Sequence, residues 1–265
     1  MKLSAQTHFS QGWPTSLLSD VKAMGIDVIR DSVPWHRVET AKGVFDFSHH
    51  AATWVSEALA MGLEVTLVFQ PCNALYDGGH TVHTDAGRAA FARYVVETLK
   101  ANPGVTRIEI GNEYNGNDFV TGPIAKASKE LRDDYYQAMI AEVDAALAEA
   151  RLDVEVLRAS THSIPIDYIA ALVDNSAIAP GDALSIHPYT TAPEQFAGQL
   201  ALLREKVGTD IAIHVTEFGA NFRSLAEAPA FLAKMVAVMA EADVATASWY
   251  AFGSQPWFPN MELWD

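Results

Sequence analysis

The amino-acid sequence predicts an α/β fold, a single (β/α)₈ barrel that uses all of residues 1–265. The length of 265 residues is close to the ~250 residues typical of such barrels. Eight strand-like segments alternate with helix-like segments along the chain, which favours a parallel sheet. After the first strand the chain reads HFSQGWP. It lacks the glycine-rich dinucleotide fingerprint there, which disfavours an open, doubly wound sheet.

Each predicted strand is a short, β-rich run, and eight of them match the eight units of a closed barrel. In chain order they are LSAQTHF (3–9), DVIRD (27–31), EVTLVFQ (64–70), TRIEIG (106–111), VEVLRAS (154–160), ALSIH (183–187), IAIHVTE (211–217) and ATASWYAF (245–252).

The segments between these strands carry apolar residues at i, i+4 spacing, the pattern of an amphipathic helix. We expect these apolar stripes to pack on the sheet. Few residues follow the last strand, so the barrel is expected to close with an irregular tail unless the sequence is truncated. The clearest stripes are Leu131, Tyr135, Met139, Val143 and Leu147, with Tyr136 and Ile140 beside them; Phe91, Val95 and Leu99; and Phe231, Met235 and Met239.

Composition narrows the classes of partner. The chain has 18 Lys and Arg against 33 Asp and Glu, a formal net charge of −15, which argues against nucleic acid or an anionic membrane. One cysteine, Cys72, excludes an intrachain disulfide. The amino terminus shows no signal-peptide pattern. The absence of that pattern predicts a cytoplasmic protein, or a secreted or periplasmic one from which a signal peptide was removed. The sequence does not indicate an oligomeric state.

Polar and aromatic residues stand at the ends of the predicted strands, although the strands themselves are apolar. In parallel barrels the chemistry sits at the carboxyl ends of the strands, and polar groups at a buried edge are costly unless partnered. The strand ends therefore predict a functional site. They carry His8, Arg30, Gln70 with Asn73, Asn112 with Glu113, Thr161 with His162, His187 with Tyr189, Glu217, and Trp249 with Tyr250.

Four motifs, in order along the chain, resemble the retaining glycoside hydrolases of clan A, and most of all family 39. They are IRDSVPWHRVETAKGVFDFS (29–48) at the second strand, IEIGNE (108–113) at the fourth, SIHPY (185–189) at the sixth and VTEFG (215–219) at the seventh. The fourth-strand motif of that family usually has Trp before the Asn and Pro after the Glu, where this chain has Gly111 and Tyr114.

The resemblance implies that Glu113 is the general acid/base and Glu217 the nucleophile. Protonating a leaving oxygen near neutral pH calls for a raised carboxyl pKa, so we expect the pKa of Glu113 to be raised. The two carboxyl groups should lie ~5–5.5 Å apart and the anomeric configuration should be retained. Glu109 shares strand parity with Glu113 and is expected to be a buried partner of Arg107 or another base.

The resemblance also implies substrate contacts. Asn112 would bond the sugar 2-hydroxyl, and Arg30 and Tyr189 would hold the nucleophile. Structural roles remain the alternatives, such as a barrel ion pair for Arg30 and core packing for Trp249. The other candidates are His187 beside the cleaved sugar; Trp249 as a sugar-stacking floor; His8 and His162 for sugar hydroxyls; and Trp13, Trp35, Tyr76, Tyr114, Phe222 and Trp257 for outer subsites.

The predicted function is hydrolysis of O-glycosidic bonds by double displacement without a cofactor, with endo cleavage of a β-linked glycan preferred. An exo-acting, xylosidase-like β-glycosidase of the same clan is the alternative. A metal-dependent barrel hydrolase that uses His8, His162, His187 and Glu217 is a further rival, and so is an inactive sugar-binding barrel. No HExxH motif and no HxH on the first strand occurs, so no metal site is predicted. His49-His50 is expected to start a helix.

Overall fold

The structure, a computed structural model, describes residues 1–189, 192–220, 225–255 and 260–264. The ten strands found in these ranges are β1 (Lys2–Gln6), β2 (Val28–Ser32), β3 (Glu39–Ala41), β4 (Val44–Phe45), β5 (Glu64–Phe69), β6 (Arg107–Ile110), β7 (Glu155–His162), β8 (Ala183–His187), β9 (Ala212–Phe218) and β10 (Val244–Trp249). The α-helices are α1 (Leu18–Ala23), α2 (Trp35–Val38), α3 (His50–Ala60), α4 (Asp85–Ala101), α5 (Lys129–Ala150), α6 (Ile166–Asp174), α7 (Pro193–Val207) and α8 (Ala228–Glu241).

Eight of these strands close a barrel in which every neighbouring pair is parallel. Their order round the barrel is β1-β10-β9-β8-β7-β6-β5-β2, and β1 closes the circle by pairing with both β10 and β2. The eight predicted strands coincide with these eight, so the predicted fold class is confirmed. Among the described residues, no helix is long and apolar enough to cross a membrane.

A small antiparallel hairpin, β3–β4, lies in the connection between β2 and α3, and the sequence pattern did not predict it. Glu39 anchors it, because its buried carboxylate accepts the indole N–H of Trp35, the backbone N–H of Gly43 and the hydroxyl of Tyr76. Gly43 has a φ of 75°, a conformation that glycine adopts at no steric cost.

The helices cover the outside of the barrel with the predicted apolar stripes, with one correction on α5. Leu131 was expected on the buried stripe but is 46% exposed. Successive i+4 steps rotate by about 40° round a helix of 3.6 residues per turn, so a five-residue stripe does not stay on one face. The buried face of α5 instead carries Tyr136, Met139, Ile140 and Val143.

Strand alternation separates the outer core from the barrel interior. On β6, Ile108 and Ile110 are fully buried members of the apolar core, while Glu109 between them reaches side chains of β2, β7 and β9 across the barrel. Successive side chains of a strand point to opposite faces, so β6 carries its carboxylate inward. The polar interior at this level forms the floor of the candidate site.

His49 accepts the backbone N–H of Ala51 at the start of α3, which confirms the helix start predicted there.

Candidate active site

The carboxyl end of β6 turns Glu113 into the barrel mouth. Gly111 has a φ of 80° and Glu113 a φ of 47°, both in the left-handed region that non-glycine residues seldom occupy. The turn is held on both sides, because the Gly111 N–H donates to Phe69 on β5 and the Tyr114 N–H donates to Ser160 on β7. Strained backbone held in this way occurs mainly at functional sites.

Glu113 is buried and contacts two imidazoles through the same oxygen. Nδ1 of His187 lies 3.0 Å from its Oε1, and Nδ1 of the exposed His162 lies 3.4 Å from that oxygen. Both ring contacts thus go to one oxygen of this carboxylate, Oε1.

Glu217, at the end of β9, is buried and receives a donor on each oxygen. Nη1 of Arg30 donates to Oε1 over 2.6 Å, and the hydroxyl of Tyr189 donates to Oε2 over 2.6 Å. One oxygen of Glu217, one of Glu113 and a ring nitrogen of His187 all lie within 4.8 Å of one another. The structure thus brings together the two glutamates that the sequence separates widely.

Arg30 is the main cation below the mouth. Besides Glu217, it donates to Glu109 Oε2 over 2.6 Å, to Gln6 Oε1 over 2.5 Å and to Asn112 Oδ1 over 2.9 Å. Burial opposes its charge, but the carboxylates of Glu109 and Glu217 outweigh burial and raise the pKa of Arg30. The guanidinium therefore stays charged, and it uses the amide oxygen of Asn112 rather than its N–H groups.

His187 is fully buried among carboxylates. Its Nε2 lies 3.0 Å from the hydroxyl of Thr216, and 3.6 Å from Oε1 of Glu109. Burial lowers the pKa of His187, but the charge of Glu217 and the contacts with Glu109 and Glu113 outweigh burial and raise it to about 9. The imidazole is therefore a second cation of the site at neutral pH.

The pKa of Glu113 is lowered, whereas the sequence analysis predicted that it would be raised. Burial raises the pKa of this carboxyl, but the hydrogen bond and charge of His187, aided by His162, outweigh burial and hold the pKa below its ordinary value. The expectation of a raised pKa was wrong because it counted the apolar setting and missed the imidazolium in contact with the acid.

His8, after β1, supplies a neutral ring near Glu217. Burial, and to a smaller degree Arg30, outweigh the charge of Glu217 and lower the pKa of His8 to about 4. Both ring nitrogens are buried without a hydrogen-bond partner among the described residues. Edge-on contacts with Trp13 and Tyr250 hold the ring.

Two predicted substrate-binding residues belong to the core instead. Trp249 is 1% exposed, packs edge-on against Phe218 at 5.2 Å and donates its indole N–H to the carbonyl of Met261 over 2.6 Å. Trp35 is 2% exposed and stacks between two tyrosine rings. Neither indole presents a face to the mouth, because both lie in the layer outside the barrel interior.

The aromatic residues predicted for outer subsites also include both buried and partly exposed rings. Tyr114 is buried against Tyr136, so it provides no platform, whereas Trp13 is half-buried beside His8. Tyr76 is half-buried and stacks on Trp35. Phe222 and Trp257 lie outside the described residues.

Sequence reasoning gave no specific role to two residues that the structure places in the site. Tyr250, directly after β10, contacts the rings of His8 and Tyr189, and burial together with the charge of Glu217 raises its pKa to about 12. Its strand-end position was the available signal, but the tryptophan before it was preferred. Gln6, whose Oε1 accepts from Arg30, had no sequence signal.

Glu113, His187 and Glu217 are also close enough to share a metal ion. Imidazole and carboxylate suit several transition metals, but each of the three already takes part in hydrogen bonds with the site's own side chains. The donor set thus permits a metal without requiring one for its structure.

No protein-family model matches the sequence, and no curated protein sequence matches it. Among solved structures, the chain is similar to a family 39 glycoside hydrolase from the gut symbiont Bacteroides cellulosilyticus WH2, with a TM-score of 0.78 and 19% identity over 99% of this chain and 59% of that one.

It is also similar to the exo-beta-1,4-mannosidase Op5Man5 from Opitutaceae bacterium strain TAV5, with a TM-score of 0.64 and 18% identity over 97% of this chain and 52% of that one. A monomeric beta-xylosidase from Caulobacter crescentus CB15 gives a TM-score of 0.69 and 16% identity over 95% of this chain and 59% of that one. The chain thus spans between about half and six-tenths of these proteins. The resemblance predicted from the motifs is confirmed at the level of the fold, which is what identities this low establish.

Proposed function

We propose that this protein is a retaining O-glycoside hydrolase in which Glu217 is the nucleophile and Glu113 the general acid/base. The observation that carries the proposal is the pair of buried carboxylates with oxygens within 4.8 Å and unlike partners. Retaining glycosidases hold their carboxyl groups ~5–5.5 Å apart, whereas inverting ones leave ~6.5–9.5 Å for a water molecule. The short separation supports a direct attack on the sugar.

In the first step, Glu217 attacks the anomeric carbon while Glu113 gives a proton to the departing oxygen. A glycosyl–Glu217 ester forms and the glycosidic bond breaks. In the second step, Glu113 takes a proton from water, whose oxygen attacks the same carbon and releases Glu217 as a carboxylate. Arg30 and Tyr189 bind that carboxylate in the free enzyme and in the leaving state, one on each oxygen.

The proton for the first step is held by the contact between Glu113 and His187. The pKa of His187 is about 9, so the pair keeps a proton through neutral pH although the pKa of Glu113 itself is lowered. In the first step this one proton passes from Nδ1 of His187 to Glu113 and on to the departing oxygen, which leaves His187 neutral and Glu113 ionised. Two groups coupled this closely titrate as a unit, so the pair rather than Glu113 alone governs the basic side of the pH profile.

We further propose that the substrate is a β-linked glycan cleaved internally. A cavity of about 810 Å³ opens between the loops that follow β6 and β7, beginning at Asn115, two residues after Glu113, and bounded by Arg132, Ile166 and Tyr168. The acid protonates the leaving oxygen, so this flank is the leaving-group side. A volume in the ordinary range of ligand sites supports a leaving group of more than one sugar.

Two measurements test the mechanism. Glu217→Ala should abolish turnover, and azide should restore part of it by forming a glycosyl azide of inverted configuration; absence of any azide product would overturn the nucleophile assignment. Glu113→Ala should spare aryl glycosides with good leaving groups far more than those with poor ones. Equal losses on both substrate types would overturn the acid role.

The endo mode is tested by filling the cavity. Ile166→Trp should lower kcat/KM on oligosaccharides while sparing an aryl glycoside, whose leaving group ends before the cavity. Leu202→Trp, at an exposed position on α7, is the matched control and should change neither. Equal loss on both substrates with Ile166→Trp would contradict the assignment of this cavity to the leaving group.

Two alternatives have observations in their favour. Two of the similar structures are named an exo-mannosidase and a beta-xylosidase, so product sizes from a polysaccharide panel, read by mass spectrometry, decide between exo and endo action. The proximity of Glu113, His187 and Glu217 favours the metal hydrolase. That reading requires loss of activity on chelation, whereas the double-displacement mechanism requires none.

A further inference from the structure

Glu109 lies below the two proposed catalytic glutamates and is 0% exposed. Its Oε2 accepts from Nε of Arg30 over 2.6 Å, and its Oε1 accepts from the hydroxyls of Ser160 and Thr216, each over 2.9 Å. Burial raises the pKa of Glu109, but the charge of Arg30 and the contacts with His187 outweigh it and hold the pKa well below its ordinary range. Glu109 is therefore an ionised group that cannot reach a substrate.

One connection runs from Glu109 to the nucleophile through a single guanidinium. Arg30 donates Nε to Glu109 and Nη1 to Glu217. Because the guanidinium is planar and rigid, the direction in which Nη1 points is set by the carboxylate that binds Nε. Glu109 thus orients the donor that faces Glu217.

A second connection runs from Glu109 to the acid through Thr216 and His187. An ionised carboxylate only accepts hydrogen bonds, so the hydroxyl of Thr216 donates to Glu109. The same hydroxyl oxygen must then accept from Nε2 of His187. This fixes the proton on Nε2 and leaves Nδ1 as the ring nitrogen that shares a proton with Glu113.

We propose that Glu109 is a positioning residue that sets the charge and orientation of both proposed catalytic glutamates from beneath the site. It acts on Glu217 through Arg30, and on Glu113 through Thr216 and His187. The inference rests on the proposed glycosidase function, but it makes structural predictions that need no turnover.

The titratable groups around Glu109 come from strands β2, β8 and β9, from the loop after β6 and from helix α5. Arg30 on β2 and His187 on β8 are the cations. Glu217 on β9 and Glu113 after β6 are the other carboxylates. Tyr136 on α5 adds a phenol whose pKa is raised, chiefly by burial. With all three carboxylates ionised and both cations charged, the cluster has one net negative charge, which favours the proton that His187 shares with Glu113. Glu109 supplies the negative charge that favours this proton.

The test is Glu109→Gln, which keeps the shape of the side chain, removes its charge and lets its amide donate to Thr216. Nitrogen NMR on histidine-labelled protein should show the pKa of His187 lowered by about 1 to 3 pH units, the range for loss of a partner charge at this distance. In the neutral ring, at pH values above this pKa, the remaining proton should no longer be confined to Nε2. The basic limb of kcat/KM against pH should move down by a similar amount.

Matched variants separate charge from packing. Glu39→Gln removes another buried glutamate that binds three donors, none of them in the site, and should leave the His187 titration unchanged. Thr216→Val breaks the bridge but keeps the Glu109 charge, so it should release the Nε2 tautomer with a smaller change in the pKa of His187. Glu109→Asp serves if the Gln variant does not fold, with a smaller shift in the same direction.

An unchanged His187 titration in Glu109→Gln or Glu109→Asp, with activity lowered equally at every pH, would overturn the inference. If the His187 titration shifts in Glu109→Gln but the wild-type protein cleaves no glycan, the inference is supported and the proposed function is rejected. The two failures are therefore distinguishable.

Discussion

Removal of Arg30 tests the electrostatics of the barrel interior most directly. In Arg30→Met the side chain remains long and apolar, but Glu109 loses its guanidinium partner at 2.6 Å in a fully buried position. Breaking a buried ion pair by removing one partner costs about 3–5 kcal/mol, because the remaining charge is left uncompensated. For a domain of this size the melting temperature should fall by about 6–20 °C.

The loss of unfolding free energy caused by Arg30→Met should decrease as the pH falls. The pKa of Glu109 is lowered in the folded protein, so its ion pair contributes stability above the unfolded pKa of about 4.3 and loses that contribution as pH falls through the folded value. The difference in unfolding free energy between wild type and Arg30→Met should therefore be largest near pH 7 and shrink below about pH 4.

Urea unfolding at pH 7 and at low pH measures this difference. Arg107→Met, on the strand that carries Glu109, is the control, since its partner Glu155 is partly exposed and such a pair contributes only about 0–1 kcal/mol. A loss below about 1 kcal/mol for Arg30→Met at pH 7, or an equal loss at both pH values, would refute the reasoning.

Three further substitutions have expected outcomes. Tyr189→Phe removes the donor to Oε2 of Glu217 and should lower kcat/KM by about 10- to 100-fold, the equivalent of a charge-assisted hydrogen bond; an unchanged value by initial-rate kinetics would contradict that contact. His8→Ala should raise KM and leave the pH profile above about pH 5 unaltered, because the pKa of His8 is about 4. A moved limb would contradict its neutral state. Trp249→Phe should cost about 1–3 kcal/mol through the lost bond to Met261 without changing KM, and a changed KM would restore Trp249 to the site.

The identity of the polar residues at the strand ends was predictable because a parallel barrel has one chemically active rim. Glu113, Glu217, Arg30 and His187 each follow a run of apolar, β-rich residues, and the sheet then carries them to the same place. Their mutual geometry was not predictable, since the roles depend on contacts made across the barrel. The lowered pKa of Glu113 shows this, because it arises from His187, a residue 74 positions away.

The aromatic residues show the limit of local pattern. Trp249 and Tyr250 are neighbours at the end of β10, and composition favoured the indole as a sugar platform. The fold placed Trp249 in the outer core against Phe218 and brought Tyr250 to His8. Consecutive strand residues point to opposite faces, so a shift of one residue exchanges mouth and core.

The sequence by itself determined the alternation of strands and helices, the closed parallel barrel and the set of ionisable groups at its rim. These follow from hydrophobic period and chain length, which act over short stretches. Only the tertiary structure decided which groups share a proton, which cation faces which carboxylate, and which aromatic rings reach the mouth. Electrostatic and hydrogen-bond interactions fall off within a few ångströms in space, and no spacing along the chain records those distances.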